Sequence, residues 1–392
     1  MNTSSTLARQ AALHLTARLA SVGVSFLLFA WIGRVLEPAD AARAYAFAFG
    51  FGFLLATARL ALQLGASVVA SSRMTLRLRQ GLSGLALLRL LVLPLALAAA
   101  TIGWLHTGSA LVAAAAALVA VAAAADIDLL RGVLGRGAVV APGFALGSAI
   151  SLALLATVMP QTLLGAVTCL LLQWVPLCLL NLRALRRLFM RLPQAPERGW
   201  ALAATLLLAC FDGLVLNAPF LGVVRLPVDV TLDLSAVTRI FVAALPMLPL
   251  LLHWSNSPAF GQLCRRVGLS ELAGFTMALL ASGAVAGGVL LAAYMWVSKL
   301  AVTPSTAVLY LVLLGGYAAF APRMRFARQQ AGSRGIVLVL LALLAAYVLG
   351  INAFLAAGLP GGAKAWIVCQ ALTLLAAAYA LHKLAQRREA HR

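Results

Sequence analysis

A chain of 392 residues is long enough for two soluble domains, but 63% of this one is hydrophobic and only 10% is charged, at a mean hydropathy of +1.01. So little charge cannot cover the surface of a soluble protein of this size, and the composition points to an all-α polytopic membrane protein. The net charge of +20 sits in short connections between apolar runs. There it marks the positive-inside rule and contact with anionic lipids, and nucleic acid is not an expected partner.

A helix needs about 20 apolar residues to cross a bilayer. The sequence supplies twelve such segments, at 12–34, 44–70, 82–104, 109–128, 138–158, 162–181, 200–221, 235–256, 271–297, 303–321, 335–357 and 363–382. The first carries His14 and Arg18, four residues apart and hence on one helical face, and has no small-residue cleavage site after it, so it is read as a retained span. The second holds Arg59 near its middle, below Gly50 and Gly52. Arg89 and Pro94 fall in the third, and Asp126 and Asp128 end the fourth, followed by Arg131, where an ordinary interfacial ion pair is favoured over a proton relay. After the sixth comes a basic cytoplasmic linker, residues 183–199, with Arg183, Arg186, Arg187, Arg191 and Arg198. The seventh span contains Asp212, the eighth Arg239, Pro246 and Pro249, and the ninth Gly283 and Gly287, a small-residue face suited to helix packing.

These segments divide into an N-terminal six-helix lobe at 1–182 and a C-terminal one at 200–392, which ends in a short basic tail. A short repeat agrees with that division. Residues 33–40 (GRVLEPAD) and 222–229 (GVVRLPVD) both read G-x4-P-x-D, 189 positions apart, each after the first span of its half. Parallel repeats of this kind occur in secondary transporters. Of the 30 basic residues, 21 fall on one side of the expected topology and only Arg34, Arg43, Arg225, Lys299 and Lys364 on the other. That bias places both termini in the cytoplasm. Trp31, Trp104, Trp296 and Trp366 fall near outer ends of spans, and Trp200 and Trp254 near inner ends, depths that suit a half-wet ring. The five cysteines are scattered and read as small buried hydrophobes.

Arg18, Arg59, Arg89 and Arg239 lie within spans, where a charge costs about 2.5–3.5 kcal/mol and tends to face a cavity or a partner. Guanidinium groups bind phosphate bidentately and stay charged at any depth. The four are therefore candidate substrate-binding residues of a cationic cavity, with Asp212 and His14 as a possible ion-coupling or charge partner. The bland alternative is that Arg239 and Asp212 neutralise each other while Arg18 and Arg89 snorkel to headgroups. No phosphate-binding loop, zinc motif or nucleophile elbow is present, so no enzyme activity, metal or cofactor is expected.

Residues 31–73 resemble the opening of the polysaccharide flippases of the MOP superfamily, in which a Gly-Arg-x-Leu-x-Pro turn leads from the first span into the second. Residues 211–216 (FDGLVL), 235–239 (SAVTR) and 254–258 (WSNSP) are similar to that family's seventh span and to the two ends of its eighth. The resemblance covers roughly a third of the chain, and 42–45 (ARAY) replaces the usual Gly-x-Tyr. It implies two six-helix lobes around a central cavity in the bacterial inner membrane, working by alternating access. The implied cargo is an undecaprenyl-pyrophosphate-linked oligosaccharide, with a polysaccharide polymerase and chain-length proteins as further partners. An ion-coupled multidrug exporter of the same superfamily is the alternative, although cationic drugs call for cavity carboxylates. A membrane glycosyltransferase or polymerase needs a larger outer loop than the dozen residues available here.

Overall fold

A computed structural model describes residues 20–68, 76–124, 140–188, 207, 211–220, 227–244, 271–298, 304–329, 334–356 and 362–389. Among these residues every regular element is a helix. The first seven are α1 (Ala20–Val35), α2 (Pro38–Val68), α3 (Leu76–Thr107), α4 (Ala110–Ala124), α5 (Val140–Thr157), α6 (Leu163–Leu172) and α7 (Val175–Leu188). A short helix α8 at 211–217 continues into a 3-10 turn at Ala218–Phe220. There follow α9 (Val228–Ala244), α10 (Glu271–Ser298), α11 (Pro304–Gln329), α12 (Arg334–Ala356) and α13 (Gly362–Glu389).

Five stretches are long and apolar enough to cross a membrane: Pro38–Ala58, Leu163–Asn181, Thr276–Ala293, Ser305–Met324 and Gly362–Lys383. Their outward faces are greasy, as lipid requires. Val285 is 71% exposed and Leu372 59%, values that water would penalise and acyl chains do not.

Sequence chemistry sets the helix ends. The repeated G-x4-P-x-D motif is a helix-start signal: Pro38 is the first residue of α2, Pro227 immediately precedes α9, and Asp40 and Asp229 lie in the two first turns. Proline lacks the N–H that is orphaned there anyway, and an aspartate favours the positive helix end. The Thr231 N–H and hydroxyl both bond the Pro227 carbonyl, at 3.0 and 2.9 Å. α9, which answers to the eighth expected span, therefore begins at Val228, seven residues before the edge expected from hydropathy at 235. Between α3 and α4 the chain reverses at Gly108, whose φ of +66° is open to glycine at little cost. Its N–H closes α3 on the Trp104 carbonyl at 2.8 Å, and the Ser109 hydroxyl receives the Val112 N–H at 3.4 Å to open α4.

Two compact units emerge, Met1–Leu202 with Phe220–Val223, and Ala203–Pro219 with Val224–Arg392. The first is built on α2 against α3 and α3 against α4, with α5, α6 and α7 adjoining. Its core is aromatic: Phe29 stacks on Tyr45 at 5.4 Å, the Tyr45 hydroxyl donates to the Phe29 carbonyl at 2.8 Å, and Trp174 lies between Phe51 and Phe144. Gly50, which flexibility alone would explain, answers a steric need. A Cβ there would meet the Phe220 carbonyl at 2.7 Å, while the Phe220 ring stacks on Phe49 at 4.7 Å. His106, in the last turn of α3, holds the same carbonyl through Nε2 at 3.2 Å.

The second unit centres on α11, which packs along α13, α10 and α9. A Cβ on Gly316 would fall 2.9 Å from the Ala371 backbone, so α11 and α13 cross almost backbone to backbone. The small-residue face expected on the ninth span packs as expected. Gly283 and Gly287 admit Leu314 and the ring of Tyr310, and the Tyr310 hydroxyl donates to the Gly283 carbonyl at 2.6 Å. Trp366 departs from the interfacial reading: it is buried, edge-on to Tyr347 at 6.3 Å.

Two neighbouring glycines give a test. Gly287→Leu forces a side chain into the Tyr310 ring and is expected to cost about 1–3 kcal/mol, the usual scale of overpacking. Gly288→Ala faces open space on the same helix and is expected to be neutral or slightly stabilising. Thermal unfolding of both variants in detergent checks the contrast.

Candidate functional site

The sequence-predicted site residues fall into three groups. His14 and Arg18 lie outside the described residues. Arg59 lies on α2 and Arg89 on α3, a packed helix pair, and both side chains are outside the described set. On α2, Arg59 follows Gly52 and Ala56 at helical spacing. Gly52 borders open space and Ala56 is exposed. Asp212 on α8 and Arg239 on α9 are half-buried, and each has an interaction partner. Asp126 and Asp128 lie outside the described residues, as do Pro246 and Pro249.

The surroundings of α8 are the best-defined polar arrangement in the second unit. Pro219 has no N–H, so the Val215 carbonyl four residues earlier loses its helical donor. Tyr347 of α12 and Gln370 of α13 replace it: the Tyr347 hydroxyl donates at 3.0 Å and Gln370 Nε2 at 3.2 Å. The same Nε2 also reaches the Leu216 carbonyl at 3.2 Å. Asn217 Nδ2 caps the Gly213 carbonyl at 2.9 Å, and Phe211 packs on Phe320 at 5.5 Å. This short helix, which carries Asp212, is therefore held by side chains from two other helices. Neither Tyr347 nor Gln370 was singled out from sequence, although a glutamine inside an apolar run is a polar group in need of a partner.

At the start of α9 a second charge cluster forms. Asp229 and Asp233 are one turn apart and near Lys364 of α13, and burial raises the Asp233 carboxyl above the usual carboxylate range. Repulsion from Asp229 adds to the rise, and Lys364 opposes it. Among the described residues no three His, Cys, Asp or Glu side chains gather as they would around a metal ion.

Two outcomes follow from this geometry. Removing Gln370 Nε2 by Gln370→Leu is expected to destabilise the protein by about 1–3 kcal/mol. Adding Tyr347→Phe is expected to be non-additive, because both donors serve the Val215 carbonyl; a double-mutant cycle on thermal unfolding reads the coupling. A raised Asp233 means the folded state holds this proton more tightly, so the stability it contributes is present at acid pH and lost as pH rises through the folded value. Asp233→Asn is therefore expected to gain on the wild type as pH rises from acid to neutral, and unfolding midpoints across that range measure it.

Comparison with protein-family profiles, curated proteins and solved structures finds no match to this chain.

Proposed function

We propose that this protein is a twelve-span transporter of the bacterial inner membrane, both termini cytoplasmic, that flips an undecaprenyl-pyrophosphate-linked oligosaccharide by alternating access. The observation that carries the reading is the charge away from the span ends: four arginines, Arg18, Arg59, Arg89 and Arg239, against one aspartate, Asp212, with Asp126 and Asp128 at the very end of the fourth span. Such a balance suits an anionic cargo. A pyrophosphate presents oxygens that guanidinium groups bind in pairs, and the lipid tail need never leave the bilayer.

Helix breaks support transport as well. α8 gives way to a 3-10 turn at Pro219 and α6 is interrupted before Pro176, and discontinuous helices are the usual furniture of transporter binding regions. A multidrug exporter for cations would need the opposite charge balance. An enzyme would need nucleophile or metal chemistry that the sequence does not supply.

Complementation of a bacterial strain lacking its own O-antigen flippase tests the proposal. The wild type is expected to restore surface polysaccharide, and Arg59→Ala, at equal protein level by blot, to lose at least tenfold of it. Full restoration by Arg59→Ala would remove Arg59 from the site and leave flipping standing. Drug efflux without any polysaccharide restoration, in strains carrying several different O-antigens, would overturn the flippase reading in favour of an exporter.

A further inference from the structure

In the first unit, α6 stops at Leu172 and α7 starts at Val175, with Gln173 as the cap. The Trp174 N–H turns to the Leu171 carbonyl at 3.0 Å, and Pro176 has no N–H to give the Leu172 carbonyl. The last turn of α6 thus presents carbonyl oxygens at the negative end of a helix dipole. α5 lies directly against this break: Gly147 touches the Gln173 carbonyl so closely that no side chain would fit, and Phe144, one turn away, packs on Trp174 at 4.6 Å. Ser148 adjoins Gly147, and Ser151 lies one turn further along α5 on the same face.

Ser148 and Ser151 are fully buried, and Gln173 is 5% exposed. Their oxygens, Ser148 Oγ, Ser151 Oγ and Gln173 Oε1, have no hydrogen-bond partner among the described residues. Buried hydroxyls in helices ordinarily bond back to the carbonyl a turn earlier, and these two do not. Gly147 and Phe144 hold this stretch of α5 against the break, and buried polar groups left unpartnered there call for a ligand. All are neutral hard oxygen donors, the ligand type that suits a non-transition cation, and broken-helix C-termini in membranes favour positive charge.

We propose that Ser148, Ser151, Gln173 and the carbonyl end of α6 form a binding site for an alkali-metal cation, with sodium as the probe. The site lies wholly within the first unit and involves none of the span arginines. A bound cation would tie α5 to the α6–α7 break and make the packing of that region depend on the cation supplied.

The test uses the full-length protein in detergent, unfolded thermally in sodium chloride, potassium chloride or choline chloride at constant ionic strength. The expected result is a midpoint a few degrees higher in sodium than in choline, and a Ser148→Ala/Ser151→Ala variant that unfolds at one temperature in both salts. Identical wild-type midpoints in all three salts, or a sodium shift that survives in the double variant, would overturn the proposal. Should that variant not fold, a sodium titration of fluorescence decides. A saturable change in the wild type that disappears in Trp174→Phe supports the site, and an unchanged response in Trp174→Phe sinks it. The assay needs no transport, so its outcome is separate from that of the flippase reading.

Discussion

Every backbone N–H and C=O that enters lipid must find its partner inside the protein, and the rest of this structure follows from that demand. It makes every regular element among the described residues a helix. It also makes each interruption of a helix an event that other side chains must answer. At Pro219 the freed carbonyls of Val215 and Leu216 are taken up by Tyr347 and Gln370, residues 132 and 155 positions away from Val215 in the chain, while Gln370 Oε1 itself has no partner among the described residues. A local helix break has become a long-range tie between α8, α12 and α13. At the α6–α7 break three buried oxygens, on Ser148, Ser151 and Gln173, have no partner among the described residues, and it is there that a cation is proposed.

Packing inside the units obeys a second rule. Within lipid, helices gain little from apolar burial and must gain instead from close contact. Gly283 and Gly287 receive Leu314 and Tyr310, Gly316 meets the Ala371 backbone, and Gly147 meets Gln173. The closest approaches described here all pass over glycine.

Hydropathy made the helical architecture legible, since each described helix overlaps one of the expected apolar segments. It located the ends less well. Apolar windows report lipid thickness, whereas helices continue as long as their hydrogen bonds do: α7 runs on through Arg183, Arg186 and Arg187 to Leu188, α11 to Gln329 and α13 to Glu389. α9 starts early because a proline and an aspartate open it, a signal already visible in the repeat but read there as symmetry. The small-residue face of the ninth span was legible because Gly-x3-Gly has one common use. Tyr347, Gln370 and the Ser148–Ser151 pair were not, because their importance arises from carbonyls released elsewhere, and composition does not show which carbonyls those are.

The proposed function rests on charge at depth. An arginine among apolar helices is costly unless it faces something polar, and the proposed partner here is the pyrophosphate of a lipid-linked sugar chain. The most direct test is reconstitution: purified protein in liposomes carrying a fluorescent undecaprenyl-pyrophosphate oligosaccharide, with a membrane-impermeant glycosidase added outside. The account predicts that the enzyme reaches nearly all of the labelled sugar in protein-bearing vesicles, and only the outer-leaflet half in empty ones. Equal protection in both, with the protein folded and inserted, would contradict it.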